Sequence, residues 1–272
     1  MSSARAGTLS RLRGAIERLE GAGIPHAAER AALGHAAADA VLQGGLVRGA
    51  VHEVFAPESR HAASATGFAA GLAWRSAMQR PLLWVWQDFV AREAGALAMS
   101  GFAELGLDPR RIVLVRAADA GMALRVTADA LACAALGAVV LDLWGDTHQL
   151  DLSVSRKLTL AAQASGVTCV MLRTAAVPSA STAETRWTAQ SAPSAPAPPW
   201  SAWGAPMIRT QLIRNRHGQI GQWIMEWNCH ECLFREPAPH PLLAVAAPSH
   251  RPAQAPAVAR HRAAFARERR AG

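Results

Sequence analysis

A single lysine, Lys157, serves a chain of 272 residues, and no Gly-Lys-Ser/Thr occurs anywhere in it. A lysine-type phosphate-binding loop is therefore excluded by composition, because that loop needs a lysine on the β- and γ-phosphates and a hydroxyl on magnesium. Cysteine is scarce too. Cys133, Cys169, Cys229 and Cys232 are too few and too scattered for a disulfide framework. Cys229 and Cys232 make one Cys-x-x-Cys, two of the four ligands of a zinc site, with no second pair to complete it. No metal is expected. No apolar run reaches the roughly 18 residues of a membrane span, and the N-terminus lacks the apolar segment of a signal peptide. These absences point to a reduced, cytoplasmic protein with no membrane partner. No Ser-His or Cys-His arrangement suggests a nucleophile, and no carboxylates pair for acid–base work.

What is present is alanine, arginine and alternation. Hydrophobic residues make up 51% of the chain, enough for a sizeable core, and much of that fraction is alanine. Alanine-rich helices around a modest β core are the natural reading. The net charge of +8 is carried almost wholly by arginine. It suits nucleic acid, an acidic protein face or a merely solvated surface. Half of the excess lies in residues 229–272, which hold seven Arg against three Glu.

Residues 49–63 organise the rest. Val51, Val54 and Phe55 read as a short buried strand that Pro57 stops, and an alanine-rich helix follows over about 63–79. Strand, tight turn, helix is where a P-loop protein holds phosphate. Here the turn is Pro57, Glu58, Ser59 and Arg60, and the positions of the two glycines, the lysine and the hydroxyl hold Ala56, His61, Ala62 and Ala63. Arg60 is the one cation at hand to replace the lysine.

Before this stretch, Leu9, Leu12, Ile16 and Leu19 fall on one face of a predicted amphipathic helix within residues 1–25. A second helical segment is read over about 27–42. After it, apolar runs and helical periods alternate. Leu82–Trp86 reads as a strand buried on both faces, ending at Gln87-Asp88. Residues 91–105 read as a helix, Ile112–Val115 as a strand and 119–135 as a helix. Ala138–Leu141 is a buried strand ending in Asp142. Asp151 or Ser153 caps a helix running to about Ser165 that carries Arg156 and Lys157, and Val167–Leu172 is a further strand. This alternation predicts an α/β fold with a mostly parallel sheet flanked by helices. A Pro- and Ser-rich stretch follows, with a short strand near 184–189 and a flexible loop over about 190–205. Residues 207–214 and 219–227 then read as an antiparallel hairpin, with Trp223, Met225 and Trp227 on one face. Residues 229–272 read as a basic, disordered tail.

The order Gly44-Gly45-Leu46, Gly49, Val51–Phe55, Pro57-Glu58-Ser59 resembles the opening of the RecA recombinase core. That resemblance implies that Gln87 stands where RecA carries the glutamate that activates water. An amide there is no general base, and the adjacent Asp88 is the alternative if the register shifts. Asp142 matches the Walker B aspartate in position. The loops matching RecA's DNA-binding loops are 143–150 and 174–183, and neither has the basic and aromatic content of a single-strand platform.

A longer series carries a closer resemblance: Arg48–Val54, Leu105–Arg111, Leu150-Asp151-Leu152, Ser155–Leu158, Ala164–Thr168, Thr185-Arg186-Trp187, Leu212–Arg216 and Glu226-Trp227. In this order, over about residues 40–228, the chain resembles the inducible mutagenesis protein A (ImuA) family. The family resemblance implies a RecA-like core over 26–228 with a degenerate P-loop and no nucleotide cofactor. It implies a non-catalytic adaptor in SOS-induced translesion synthesis and mutagenesis, not an enzyme. The partners implied are an ImuB-type Y-family polymerase homologue, RecA and, indirectly, an error-prone C-family polymerase. On this reading Pro57, Glu58, Ser59, Arg60, Gln87 and Asp142 form a vestigial nucleotide site. The surfaces expected to meet partners are Leu12, Ile16 and Leu19 on the first helix and Arg209, Arg214 and Arg216 on the hairpin. Arg156, Lys157, Arg260, Arg262, Arg267, Arg269 and Arg270 are the cations available to DNA. Two other readings stay open: a nucleotide-dependent ATPase with an arginine-based site at Arg60, and an SOS-induced inhibitor of cell division.

Overall fold

The computed structural model describes residues 29–194 and 204–237. The first predicted helix with Leu12, Ile16 and Leu19, most of the loop near 190–205, and the tail arginines Arg260, Arg262, Arg267, Arg269 and Arg270 lie outside the described residues.

The strands are β1 (Arg30–Ala31), β2 (Leu46–Val47), β3 (Val51–Ala56), β4 (Leu82–Gln87), β5 (Ile112–Ala117), β6 (Ala138–Trp144), β7 (Thr168–Thr174), β8 (Thr185–Ser191), β9 (Met207–Asn215), β10 (Gly221–Asn228) and β11 (Leu233–Arg235). The helices are α1 (Ala36–Val41), α2 (Ala62–Ala77), α3 (Asp88–Ala94), α4 (Met99–Glu104), α5 (Ala120–Leu131) and α6 (Leu152–Ser165). Strands β3 to β11 form one nine-stranded sheet in the order β11-β10-β9-β8-β3-β7-β6-β4-β5. Strands β8, β3, β7, β6, β4 and β5 run parallel, and β9, β10 and β11 extend the sheet antiparallel. The expected parallel sheet with an antiparallel C-terminal hairpin is therefore what the chain forms.

Two apolar cores lie on opposite faces of the sheet, because alternate residues of each strand point to opposite sides. Val54 and Ala56 of β3, Trp84 and Trp86 of β4, and Val140 of β6 share one face with Phe68 and Leu72 of α2. Val51, Val139, Leu141 and Met171 share the other with Leu124 and Leu131 of α5 and Leu158 of α6. All six residues of β3 are buried. Its neighbour α2 is largely alanine on its buried side, so the helix axis can sit close to the strands.

Three local expectations are corrected. The helix read over 27–42 shrinks to α1, because Arg30–Ala31 pairs antiparallel with Leu46–Val47. The Asp39 carboxylate accepts from the N–H groups of Leu33 and Gly34, each at 2.8 Å, and holds the turn between. The helix read over 91–105 is two helices, α3 and α4, split at Gly95, whose φ of +84° no right-handed helix allows. The third correction is at the start of the tail. Leu233–Arg235 pairs with β10, and Phe234 is fully buried. Its ring meets Trp227 at 4.8 Å and Phe68 at 5.3 Å between centroids. Gly71 of α2 makes the space, since a Cβ there would stand 2.5 Å from the Phe234 ring. The short β11 gave no periodicity to read, and its one large side chain closes the end of the core.

Truncating that ring tests this closure. Phe234→Ala is expected to lower unfolding free energy by ~3–5 kcal/mol in urea titration, the usual cost of emptying a buried aromatic site. A loss under ~1 kcal/mol would mean that residues after Asn228 are peripheral.

Candidate functional site

The turn between β3 and α2 is where a phosphate cradle would form, and part of its bonding is internal. Ser59–His61 is a single 3₁₀ turn in which the His61 N–H bonds the Glu58 carbonyl at 3.0 Å. No glycine lies in it to open the backbone. Arg60 is exposed, and its guanidinium donates to the Glu58 carboxylate at 2.8 Å. The His61 ring lies 3.0 Å from the Ser191 hydroxyl, and the Ser191 N–H donates to Nδ1 at 3.2 Å. The ring in the place of the second glycine thus ties the turn to the end of β8. Pro57, Glu58 and Ser59 remain exposed on the surface of this turn.

Gln87 ends β4 beside the end of β6, as its strand placement predicts. Its side-chain carbonyl accepts from the Trp144 N–H at 3.3 Å, so the amide links the two strand ends. The neighbouring Asp88 carboxylate is held by Arg116 of β5 at 2.9 Å. It faces the β5 side and does not take the place that Gln87 leaves.

Asp142 lies on β6 opposite Trp86 of β4 and Leu172 of β7. It is 1% exposed. The Trp84 indole N–H donates to Oδ2 at 3.3 Å, while Oδ1 has no partner. The indole nitrogen of Trp86, its register neighbour, is also buried without one. Burial without a cation raises the Asp142 carboxyl from 3.8 to about 7, with the Trp84 hydrogen bond acting weakly the other way. Among the described residues, no group of three or more His, Cys, Asp or Glu side chains is placed to hold a metal ion.

The predicted arginines of the hairpin divide. Arg209 is exposed in the middle of β9. Arg214 donates to the Ser181 carbonyl at 2.9 Å and Arg216 to the Thr182 carbonyl at 3.4 Å. These two clamp the segment that follows β7. Arg156 and Lys157 are exposed on α6, whose N-terminus is capped by the Asp151 carboxylate on the Val154 N–H at 2.7 Å. The predicted site residues thus divide between an exposed turn after β3, a buried carboxyl on β6 and the hairpin.

Sequence reading missed a buried polar cluster. Glu53 of β3 is 2% exposed and accepts from Arg186 Nε of β8 at 2.6 Å. Arg186 also donates to the Ser179 carbonyl at 2.5 Å and to the Ser181 hydroxyl at 3.0 Å. Arg173 of β7, 2% exposed, donates to the Gly145 carbonyl at 3.3 Å. Burial lowers the Arg173 guanidinium from its ordinary value, against Glu53 and Asp146. The Phe55 ring lies between the two guanidiniums, 5.8 and 5.5 Å away. Asp146 accepts from the Val177 N–H at 3.0 Å. The loops after β6 and β7, the pair equated with RecA's DNA-binding loops, are thus tied to each other and to the sheet. The one sequence signal was a glutamate and a histidine inside an apolar strand. Cys229 and Cys232 sit in the turn between β10 and β11, with the Cys232 thiol 3.2 Å from the Gly106 carbonyl. Burial raises both thiols above their ordinary value.

No protein-family model matches the sequence, and no curated protein matches it. Among solved structures, the chain is similar to the crystal structure of the RadB recombinase, with a TM-score of 0.50 and 15% sequence identity. The match covers 76% of this chain and 100% of that one. At that identity the likeness shows the fold alone: the chain has a RecA-like fold. Among the described residues, no helix is long and apolar enough to cross a membrane.

The buried carboxyl has a measurable signature. With a folded-state pKa of about 7 against 3.8 unfolded, Asp142 contributes most below pH 3.8, and that contribution is lost as pH rises to about 7. Asp142→Asn removes this loss. Its stability relative to the parent should grow between about pH 4 and pH 8, toward ~4 kcal/mol. His52 acts in the opposite sense, since its pKa falls from 6.5 to about 4, but it is common to both proteins. A difference that does not change with pH would contradict the burial of Asp142.

Proposed function

We propose that this chain is a non-catalytic RecA-like adaptor of SOS-induced translesion synthesis and mutagenesis, of the ImuA kind. It would act in the cytoplasm, where it binds an ImuB-type polymerase homologue or RecA and reaches an error-prone C-family polymerase indirectly. The observation that carries this reading is the turn between β3 and α2. A RecA-like strand and helix flank it, yet it has no glycine, its His61 N–H bonds the Glu58 carbonyl, and its one arginine pairs with the Glu58 carboxylate. The roles of Gln87 and Asp142 support the same reading, because each is tied to neighbouring strands rather than aimed at that turn. The series of phrases shared with the ImuA family supplies the biological setting.

Such a domain keeps a RecA-shaped surface without an ATP-driven change of shape. A partner can then be held for as long as the complex is favourable, since hydrolysis does not release it. Arg209 is the hairpin arginine offered to a partner, and Leu12, Ile16 and Leu19 are a second, sequence-derived surface. The cations offered to DNA are those of the basic tail together with Arg156 and Lys157.

The test is a tagged pull-down from damage-treated host cells, with and without nuclease, read by mass spectrometry. The proposal expects the polymerase homologue or RecA in nuclease-resistant form, with recovery reduced in Arg209→Ser while its thermal unfolding is unchanged. Recovery of only nuclease-sensitive material would replace the adaptor by a DNA-binding protein.

A further inference from the structure

We infer that the groove between α5 and α6 is a docking site for a partner polypeptide segment in which aliphatic and acidic side chains alternate. The two helices lie side by side on the face of the sheet opposite α2, and between them is a groove of about 400 Å³. Leu124 and Ala128 of α5 and Val154 and Leu158 of α6 line its floor. Arg125 on one helix and Lys157 on the other stand exposed at its rims. No carboxylate lines it. Asp119 and Asp151, at the starts of the two helices, accept from the Met122 and Val154 N–H groups as caps, each at 2.7 Å. Asp129, one turn beyond Arg125, does not line the groove. Among the described residues, neither rim cation has an ion-pair partner in the structure.

The chemistry of the lining selects the occupant. An apolar floor between two separated cations fits side chains that bury an aliphatic body and leave carboxylates at the rims. Nucleic acid is a poorer match, because no aromatic side chain lines the groove to stack a base. A second copy of the chain is poorer too, since its net charge is +8. The inference does not depend on the damage-response reading above.

Lys157 is the only lysine in the chain, and this makes the test selective. A fluorescein-labelled, end-blocked peptide of alternating leucine and glutamate is titrated into the full-length protein and followed by anisotropy. Saturable binding is expected, weakened at least about tenfold by Lys157→Glu and by Arg125→Glu. It should also be lost when the peptide's glutamates are replaced by lysine or its leucines by serine. Zero-length carbodiimide coupling of the bound peptide should place the new amide bond on Lys157. Ala128→Trp, which fills the groove, should compete with the peptide, and the two surface charge reversals keep the test independent of how that variant folds. Absence of saturable binding, or binding indifferent to both charge reversals, overturns the proposal. Displacement of the peptide by single-stranded oligothymidylate, with the same dependence on Lys157, would reassign the groove to nucleic acid.

Discussion

The buried polar residues of β3 set the conditions that the rest of the sheet has to meet. This strand is central and wholly buried, yet it carries His52 and Glu53. A buried charge or ring nitrogen without a partner is costly, so the neighbouring elements must bring partners. Strand β8 does so twice. Arg186 meets Glu53, and the Thr185 hydroxyl donates to His52 Nδ1 at 2.7 Å, while His52 Nε2–H donates to the Val47 carbonyl at 2.8 Å. The Trp187 indole N–H completes the chain on Thr185 at 2.9 Å. These bonds fix the register of β8 against β3, and the antiparallel strands follow from there. The same Arg186 then reaches the segment after β7, so one ion pair couples the middle of the sheet to a surface loop.

On the adaptor reading, that coupling suits a domain that does not switch with nucleotide. A switch needs loops that are free to change partners when a phosphate arrives. Here Arg186, Arg214 and Arg216 hold the segment after β7, and His61 holds the turn after β3 to β8. Trp84 and Gln87 engage the two positions where water activation and metal binding would be sought. Each contact is modest, about 1 kcal/mol for a neutral hydrogen bond and roughly 1.5–3 kcal/mol where an arginine donates. Together they favour one arrangement of the segments around the turn after β3, as the proposed adaptor role requires.

Much of this was legible in the chain. The alternation of apolar runs with helical periods located β3 to β8, α2, α5 and α6, because each buries a long enough stripe to leave a period in the sequence. The absence of a lysine-type phosphate loop was legible from the single lysine. What escaped depended on partners distant in sequence. Nothing around Asp142 indicates that an indole from β4 will meet it, and nothing around Arg214 or Arg216 indicates that a loop lies within reach. Strand β11 is too short to carry a pattern, and β1 exists only because β2 pairs with it. Gly95 was visible, but its effect on an otherwise helical run depends on a φ that only the tertiary packing selects.

The most direct test of this account is equilibrium dialysis of the full-length protein against labelled ATP with magnesium, for the parent chain and for Arg60→Ala. The account predicts no saturable binding by either protein, since the turn after β3 has no cradle and Arg60 is paired with Glu58. Micromolar binding by the parent that is lost in Arg60→Ala would contradict it, and would make the arginine a working replacement for the missing lysine.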